Sequence, residues 1–325
     1  LGRLYTLIEQ GATVVANAPQ RICTLAGGDE TQGRFDKNVE AIWGKAADGS
    51  ITTIGKGRLL AGVTIEKAIE LLALKQDVQG DVRWLHRHVK GADWYFITPE
   101  KQQAFKGKVS FRAQGAAELW NPITGEITPL NVERQGEYAS IELDMPKAGS
   151  CFVVFNHNKK QQKVEKVELA NSQSIDNKWT VQFPEGWGAP TELEVETLAP
   201  WCELPMSKEG QAFSGTATYT TTFNWSNESK EVVLDLGKVS MIAEVFVNDQ
   251  KVRTLWCTPY AADITSYVKQ GENKLQVKVT STWFNRLAFD ASLPEAERKT
   301  WTIEGPKANA KLKEYGLLGP VNIKY

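Results

Sequence analysis

The chain has 325 residues, of which 42% are hydrophobic and 24% are charged, and its formal net charge is −1. These values are ordinary for a folded protein, and the near-neutral charge gives no general case for binding nucleic acid or an anionic membrane. No apolar run approaches the ~18 residues of a membrane-spanning helix, and the length predicts two or three domains.

Residues 1–77 alternate between helix and strand patterns, which predicts a small α/β region. Three helices are predicted: one that ends at Gly11, one over residues 35–43 and one over residues 65–74. The predicted strands cover residues 12–16 and 58–61. The last helix should bury Ile65, Ile69 and Leu72 on one stripe. Cys23 is the natural candidate for a nucleophile, but a nucleophilic cysteine needs a base. Because no histidine occurs in this segment, we expect a structural role for Cys23 and no active site.

Residues 78–159 change to a period-2 pattern, which predicts a β-sandwich that serves as scaffold. His86 and His88 share one face of a predicted strand, as a pair of metal ligands would. His157 lies far along the chain, so no third ligand stands at a convincing spacing. We therefore predict a half-exposed structural pair and no metal site.

A polar and charged stretch after residue 159 marks the start of a third domain, residues 160–325. Between Gly215 and Leu287, four runs alternate apolar and polar residues, as strands buried on one face require. Val245 and Leu275 should share the inner face, and Asn248-Asp249 is turn chemistry between two strands. Antiparallel strands with short turns predict a two-sheet sandwich or jelly roll. The whole chain is thus predicted to be mainly β with a small N-terminal α/β region.

Several of these segments also carry a family resemblance. The order VFVND, PYAADIT, GENKLQVKV and TWFNRL is similar to the galactose-binding-like β-sandwich of glycoside hydrolases, above all that of the α-L-rhamnosidase-type enzymes of glycoside hydrolase family 106. IEQGATVVANAP, VRWLHRHVKGADWYFIT and GLLGPVNI resemble the same enzymes. The resemblance implies an amidotransferase-like α/β region over residues 1–77 and a galactose-binding-like jelly roll over residues 160–325. It also implies a catalytic (β/α)8 barrel before residue 1, and Leu1 in place of an initiating Met fits that expectation.

Sugar recognition combines an aromatic face, which covers the C–H side of the ring, with planar polar side chains for the hydroxyls. We favour a site in which Trp283, Asn285 and Arg286 turn onto the rim of the domain, because the preceding strand should end near Thr282. In the alternative, Trp283 packs under the sandwich and Arg286 pairs with an aspartate, Asp263 or Asp290. The full set of candidate ligand contacts is Trp187, Trp256, Tyr260, Trp283, Asn285 and Arg286.

The sequence predicts an accessory role rather than catalysis. Glycoside hydrolysis needs two carboxylates across the scissile bond, and no pair here sits in a recognisable catalytic motif. Asp36 and Glu40, one helical turn apart, are most simply a solvated helix face. No cofactor is expected.

The predicted function is therefore an accessory C-terminal segment of a carbohydrate-active glycoside hydrolase, which braces the catalytic barrel of the same parent chain and contacts glycan. The alternatives are a stand-alone carbohydrate-binding module and a structural interaction segment without a ligand. The resemblance alone implies export to the periplasm or the cell surface.

Overall fold

The computed structural model describes residues 1–24, 26–101, 103–165 and 169–325, which form two compact units, Leu1–Gln79 and Gly80–Tyr325. Strands take up 37% of the residues and helices 15%. The prediction of a mainly β chain with an N-terminal α/β region is confirmed. Within the described ranges, no helix is both long and apolar enough to cross a membrane.

The unit Leu1–Gln79 is a small α/β layer. Strand β3 lies at the centre of a three-stranded sheet, parallel to β1 and antiparallel to β2. Ile8, Ile42 and Leu59 are enclosed between the helices and this sheet, and the indole N–H of Trp43 donates to the carbonyl oxygen of Ala16 at 2.9 Å. The elements are α1 (Gly2–Glu9), β1 (Thr13–Val15), α2 (Gly28–Trp43), β2 (Ile51–Ile54), β3 (Gly57–Leu60), α3 (Ile65–Leu71) and β4 (Val78–Gln79).

Helix α3 buries a different face from the one that the sequence predicts. The hydroxyl of Thr64 caps its N-terminus by accepting from the backbone N–H of Lys67 at 3.3 Å. Ile65 and Ile69 are 62% and 45% exposed, whereas Ala68 is buried. The predicted buried stripe is wrong, because the helix turns its Ala68 side inward.

The first part of the unit Gly80–Tyr325 is a β-sandwich. One sheet places β11 between β10 and β7, and the other has the order β5-β6-β12-β8-β9. Tyr95, Phe111 and Phe155 meet in the core with ring centroids 5.0 to 5.9 Å apart. The strands are β5 (Val82–Val89), β6 (Ala92–Pro99), β7 (Phe105–Phe111), β8 (Ala116–Trp120), β9 (Ile127–Pro129), β10 (Glu133–Gln135), β11 (Tyr138–Met145) and β12 (Cys151–Asn156).

A second, larger sandwich follows. Its sheets have six strands in the order β15-β14-β16-β22-β19-β20 and four in the order β13-β24-β17-β21, and β18 pairs with β23. The strands are β13 (Ser172–Ser174), β14 (Trp179–Gln182), β15 (Glu192–Val195), β16 (Thr216–Trp225), β17 (Val233–Asp235), β18 (Lys238–Val239), β19 (Ile242–Val247), β20 (Gln250–Leu255), β21 (Ala261–Asp263), β22 (Gly271–Thr280), β23 (Leu317–Gly319) and β24 (Asn322–Lys324). The helices are α4 (Lys208–Gln211), α5 (Phe284–Ala291) and two 3-10 turns, Trp201–Glu203 and Glu295–Glu297.

The inner face of this sandwich follows the predicted alternation. Val245 and Leu275 have no exposed area, and Leu275 pairs with Val247 across β19 and β22, so their shared inner face is confirmed. Asn248 and Asp249 both have positive φ, 50° and 64°, in the two-residue turn between β19 and β20. The turn prediction at these residues is therefore also confirmed.

Candidate functional site

Trp283 lies at the corner where β22 passes into α5, and it is 44% exposed. The ring of Trp187 packs edge-to-face against it, with centroids 5.1 Å apart. Trp187 sits between Gly186 and Gly188, whose φ angles of 85° and 81° favour glycine and allow the loop to turn sharply. The structure therefore brings together two tryptophans that are 96 residues apart in the sequence.

Behind these rings lies a buried ionic network centred on Arg286, which has no exposed area. Its guanidinium donates to Glu209 at 2.7 Å and to Asp290 at 2.5 Å, and it stacks 5.5 Å from the ring centroid of Trp187. Burial raises the pKa of Asp290, but hydrogen bonds from Arg286 and from Thr300 outweigh burial and hold that pKa below its usual value. The network therefore stays ionised at neutral pH.

Asn285 is enclosed in the same way. Its amide N–H donates to the carbonyl oxygen of Lys313, and its amide oxygen accepts from the backbone N–H of Lys313, both at 2.8 Å. The structure thus differs from the expectation that Asn285 and Arg286 offer free donors on the rim. The reason is that β22 ends at Thr280 and α5 begins at Phe284, which turns both side chains inward. The pairing of Arg286 with Asp290, held open as an alternative, is confirmed. Sugar contact at this corner stays a prediction, with Trp283 as its accessible surface.

Trp256 lines a different feature, a cleft of about 600 Å³ within the unit Gly80–Tyr325. Val233 of β17 lines it together with three segments: the turn at residues 121–126, residues 144–150 from the end of β11 into the next loop, and residues 253–263 from the end of β20 to the end of β21. Trp256 belongs to that last segment and is 56% exposed. The cleft therefore presents a large aromatic ring that the core does not use.

A charge pair spans the cleft. Arg253 donates to Glu126 at 2.6 Å, and this hydrogen bond holds the pKa of Glu126 below its usual value. The turn that carries Glu126 is itself fixed, because the side-chain oxygen of Asn121 accepts from the backbone N–H groups of Ile123 and Thr124 at 2.9 and 3.3 Å. The two walls of the cleft are thus joined by planar polar side chains in fixed positions.

Tyr260 follows the Trp256 loop but is enclosed, with 8% of its surface exposed. Its hydroxyl donates to the carbonyl oxygen of Met241 at 2.7 Å, and burial raises its pKa. Asp263 caps a turn, because its carboxylate accepts from the backbone N–H of Thr265 at 2.8 Å. Among the predicted ligand contacts, Trp256 and Trp283 are the two that are more than one-third exposed.

All three histidines of the chain meet at one carboxylate. Ring nitrogens of His86, His88 and His157 lie 3.0, 2.8 and 2.9 Å from the oxygens of Asp93. Burial raises the pKa of Asp93, but these hydrogen bonds outweigh it and lower the pKa below its usual value. The ionised carboxylate can only accept, so each ring donates. His157 reaches the pair because β12, which precedes it, lies beside β6.

The described residues hold no group of three or more His, Cys, Asp or Glu side chains arranged to bind a metal ion. A general acid for glycoside cleavage needs a carboxyl group with a raised pKa. Hydrogen bonds from basic side chains instead hold the pKa below its usual value at five carboxyl groups, Asp93, Glu126, Glu209, Glu244 and Asp290. Asp36 and Glu40 are exposed on α2, as the solvated-face interpretation predicts.

Comparison with known proteins gives two family matches. Residues 1–134 match a family described as alpha-L-rhamnosidase, and residues 207–313 match the galactose-binding domain-like family of glycosyl hydrolase 2. A solved rhamnosidase from Novosphingobium sp. PP1Y covers 100% of this chain at 30% identity with a TM-score of 0.87, and the chain spans 32% of that structure.

Two further relatives match a smaller part of this chain. A curated Formosa agariphila protein named "Putative beta-glucuronidase" is 37% identical over 45% of this chain and 15% of its own length. The β-glucuronidase structure from Ruminococcus gnavus covers 34% of this chain and 21% of its own length at 22% identity with a TM-score of 0.30, a likeness on which nothing further rests.

The fold and the matches make this chain similar to glycoside hydrolases that carry a galactose-binding-like sandwich. More closely, the resemblance to the α-L-rhamnosidase-type glycoside hydrolases is confirmed, and the chain spans about a third of the rhamnosidase structure that it matches.

Proposed function

We propose that this chain is an accessory segment of an α-L-rhamnosidase-type glycoside hydrolase, and that it braces a catalytic barrel carried elsewhere in the parent protein. The observation that carries the proposal is the match of the whole chain to about a third of a rhamnosidase structure, at 30% identity and a TM-score of 0.87. The lowered pKa values of Glu209 and Asp290 support it further, because they suit ion pairs rather than a general acid.

Hydrolysis of an aryl α-L-rhamnoside tests the first half of this proposal. The purified chain should show no release of the aryl group above a blank, because in the proposed accessory role the barrel supplies the acid and the second carboxylate that act across the glycosidic bond. Turnover that persists in a preparation proven free of other hydrolases would overturn the accessory role.

Deletion in the parent protein tests the second half. The sequence upstream of the codon for Leu1 should encode a (β/α)8 barrel, and removal of residues 1–325 should lower the melting temperature of that barrel. An unchanged melting temperature and an unchanged kcat would refute the bracing role.

A stand-alone carbohydrate-binding module is the second candidate, favoured by the exposed Trp256 in its cleft. Sugar binding by the chain, together with an upstream sequence that encodes no barrel, would select it. Export to the periplasm or cell surface belongs to the same proposal and rests on the resemblance to rhamnosidases. Detection of the protein in the periplasmic or surface fraction of its host would support it.

A further inference from the structure

We propose that the cleft lined by Trp256 binds a neutral oligosaccharide, at a site separate from the corner of Trp187 and Trp283. The inference rests on the proposed function only in taking carbohydrate as the class of ligand. A cavity of about 600 Å³ lies inside the range of roughly 300 to 1,000 Å³ that small-molecule sites occupy. It is large enough for more than a single small ring.

The aromatic ring in the cleft is the first requirement for a sugar site. Trp179 and Trp201, which serve the core of the same sandwich, have 1% and 0% of their surface exposed, whereas Trp256 has 56% exposed. An exposed indole leaves a large apolar face in contact with water. Inside a concave site, that face can be covered by the C–H side of a sugar ring. Pro146 and Pro259 line the same cleft and extend its apolar surface.

The polar side chains are the second requirement. Arg253 and Glu126 contact each other at 2.6 Å while 32% and 56% of their side chains stay exposed, so the contact restrains both groups at the surface of the cleft and reduces the ordering that a ligand requires. The guanidinium has five N–H groups, and the carboxylate has lone pairs beyond those used by Arg253 and by Thr124, whose hydroxyl donates to it at 2.9 Å. Donors and acceptors for sugar hydroxyls therefore lie in fixed positions at the cleft.

The balance of charge favours a neutral ligand. The ionisable groups that line the cleft are three carboxylates and two cations, Glu126, Asp144, Asp263, Lys147 and Arg253. Arg253 is already neutralised by Glu126, so an acidic sugar would find no unpaired guanidinium. The three carboxylates outnumber the two cations in the lining, which would further disfavour an anion.

Calorimetric titration of the full chain tests the site with methyl α-L-rhamnoside, a neutral rhamnose-containing oligosaccharide, cellobiose and D-glucuronate as probes. We expect saturable binding of at least one neutral probe and weaker or no binding of glucuronate. Trp256→Ala should weaken that binding about tenfold, the upper end of what an aromatic contact contributes. Glu126→Gln should weaken it as well, because it loosens the pair with Arg253.

The matched control is Trp301→Ala, which removes an indole that is 78% exposed and lies outside the cleft. It should leave the affinity unchanged, and a thermal melt should show that both tryptophan variants remain folded. The proposal is overturned if no neutral probe gives saturable binding, if glucuronate binds more tightly than every neutral probe, or if the loss follows Trp301→Ala or Trp283→Ala instead. Such a failure leaves the bracing role intact, because that role is tested by deletion in the parent protein and not by sugar binding.

Discussion

The buried network around Arg286 offers a sharp test of what holds the second sandwich together. Asp290→Ala removes a carboxylate with 1% exposure from a guanidinium with none. The charge on Arg286 would then stay enclosed, and its remaining carboxylate partner in the network would be Glu209, whose side chain is 32% exposed. Breaking a buried pair in this way costs about 3–5 kcal/mol, a large share of the ~5–15 kcal/mol by which a domain is typically stable.

Urea unfolding at pH 7, followed by tryptophan fluorescence, measures the free energy of unfolding of the variant and of the parent chain. Glu209→Ala is the control, because its carboxylate is partly solvated and should cost only about 1 kcal/mol. The double variant Arg286→Met/Asp290→Leu should recover much of the loss, since it removes both charges and keeps apolar volume. A change below about 1 kcal/mol for Asp290→Ala would show that the pair is not enclosed as described, because exposed pairs are worth no more than this.

The same pair sets a pH dependence whose sign is fixed. The pKa of Asp290 is lower in the folded chain than its usual value. Its contribution to stability is therefore fully present above about pH 4, near the pKa of an unfolded aspartate, and is lost as the pH falls through the lowered value. The parent chain should lose stability in this acidic range more steeply than Asp290→Ala, and equal slopes would contradict the assignment.

Three further outcomes are expected in the same unfolding assay. Val245→Asp places an unpaired charge on the inner face of the sandwich, at a residue with no exposed area, and should cost about 4 kcal/mol or more; an unchanged melting temperature would mean that the strand faces are inverted. Tyr219→Phe removes the oxygen that accepts from the indole N–H of Trp201 at 2.6 Å, which should cost about 1–3 kcal/mol; no loss would indicate another acceptor. Asp93→Asn removes the ionised acceptor of three histidines, of which His88 lies 2.8 Å away. It should cost about 1.5–3 kcal/mol at pH 7 and less as the pH falls below about 4, and a cost independent of pH would exclude the carboxylate charge as its cause.

The sheets of the second sandwich could be predicted from the sequence because alternation is a local signal. Period 2 alone predicts that Val245 and Leu275 point inward, and both are fully buried. A one-residue shift would have moved every side chain to the opposite face. The turn at Asn248 was equally local, since this residue type tolerates positive φ.

What followed the strands could not be predicted in the same way. Alternation ends where β22 ends, and the segment from Phe284 onward is helical, so parity along the strand no longer says where Asn285 and Arg286 point. The partners that enclose Arg286 lie at Glu209 and Asp290, one of them 77 residues away. His157 and Asp93 likewise meet through strand pairing across 64 residues. The contact of His86 and His88 with Asp93 could have been predicted from one local feature, the short hairpin that joins the strand of the two histidines to the strand of Asp93.

Strand β24 has a consequence for how the second sandwich is made. It lies between β13 and β17, and Ser172 in the first strand of the second sandwich pairs with Lys324 in its last strand. Pairing over such a long stretch of chain is slow, because the loop must close before its contacts form. During synthesis on a ribosome, the edges of β13 and β17 that pair with β24 would therefore stay unpaired until residues 322–324 emerge. A product shortened by a dozen residues would lose both β23 and β24, and it would expose these edges to chaperones and proteases instead of folding into a smaller domain.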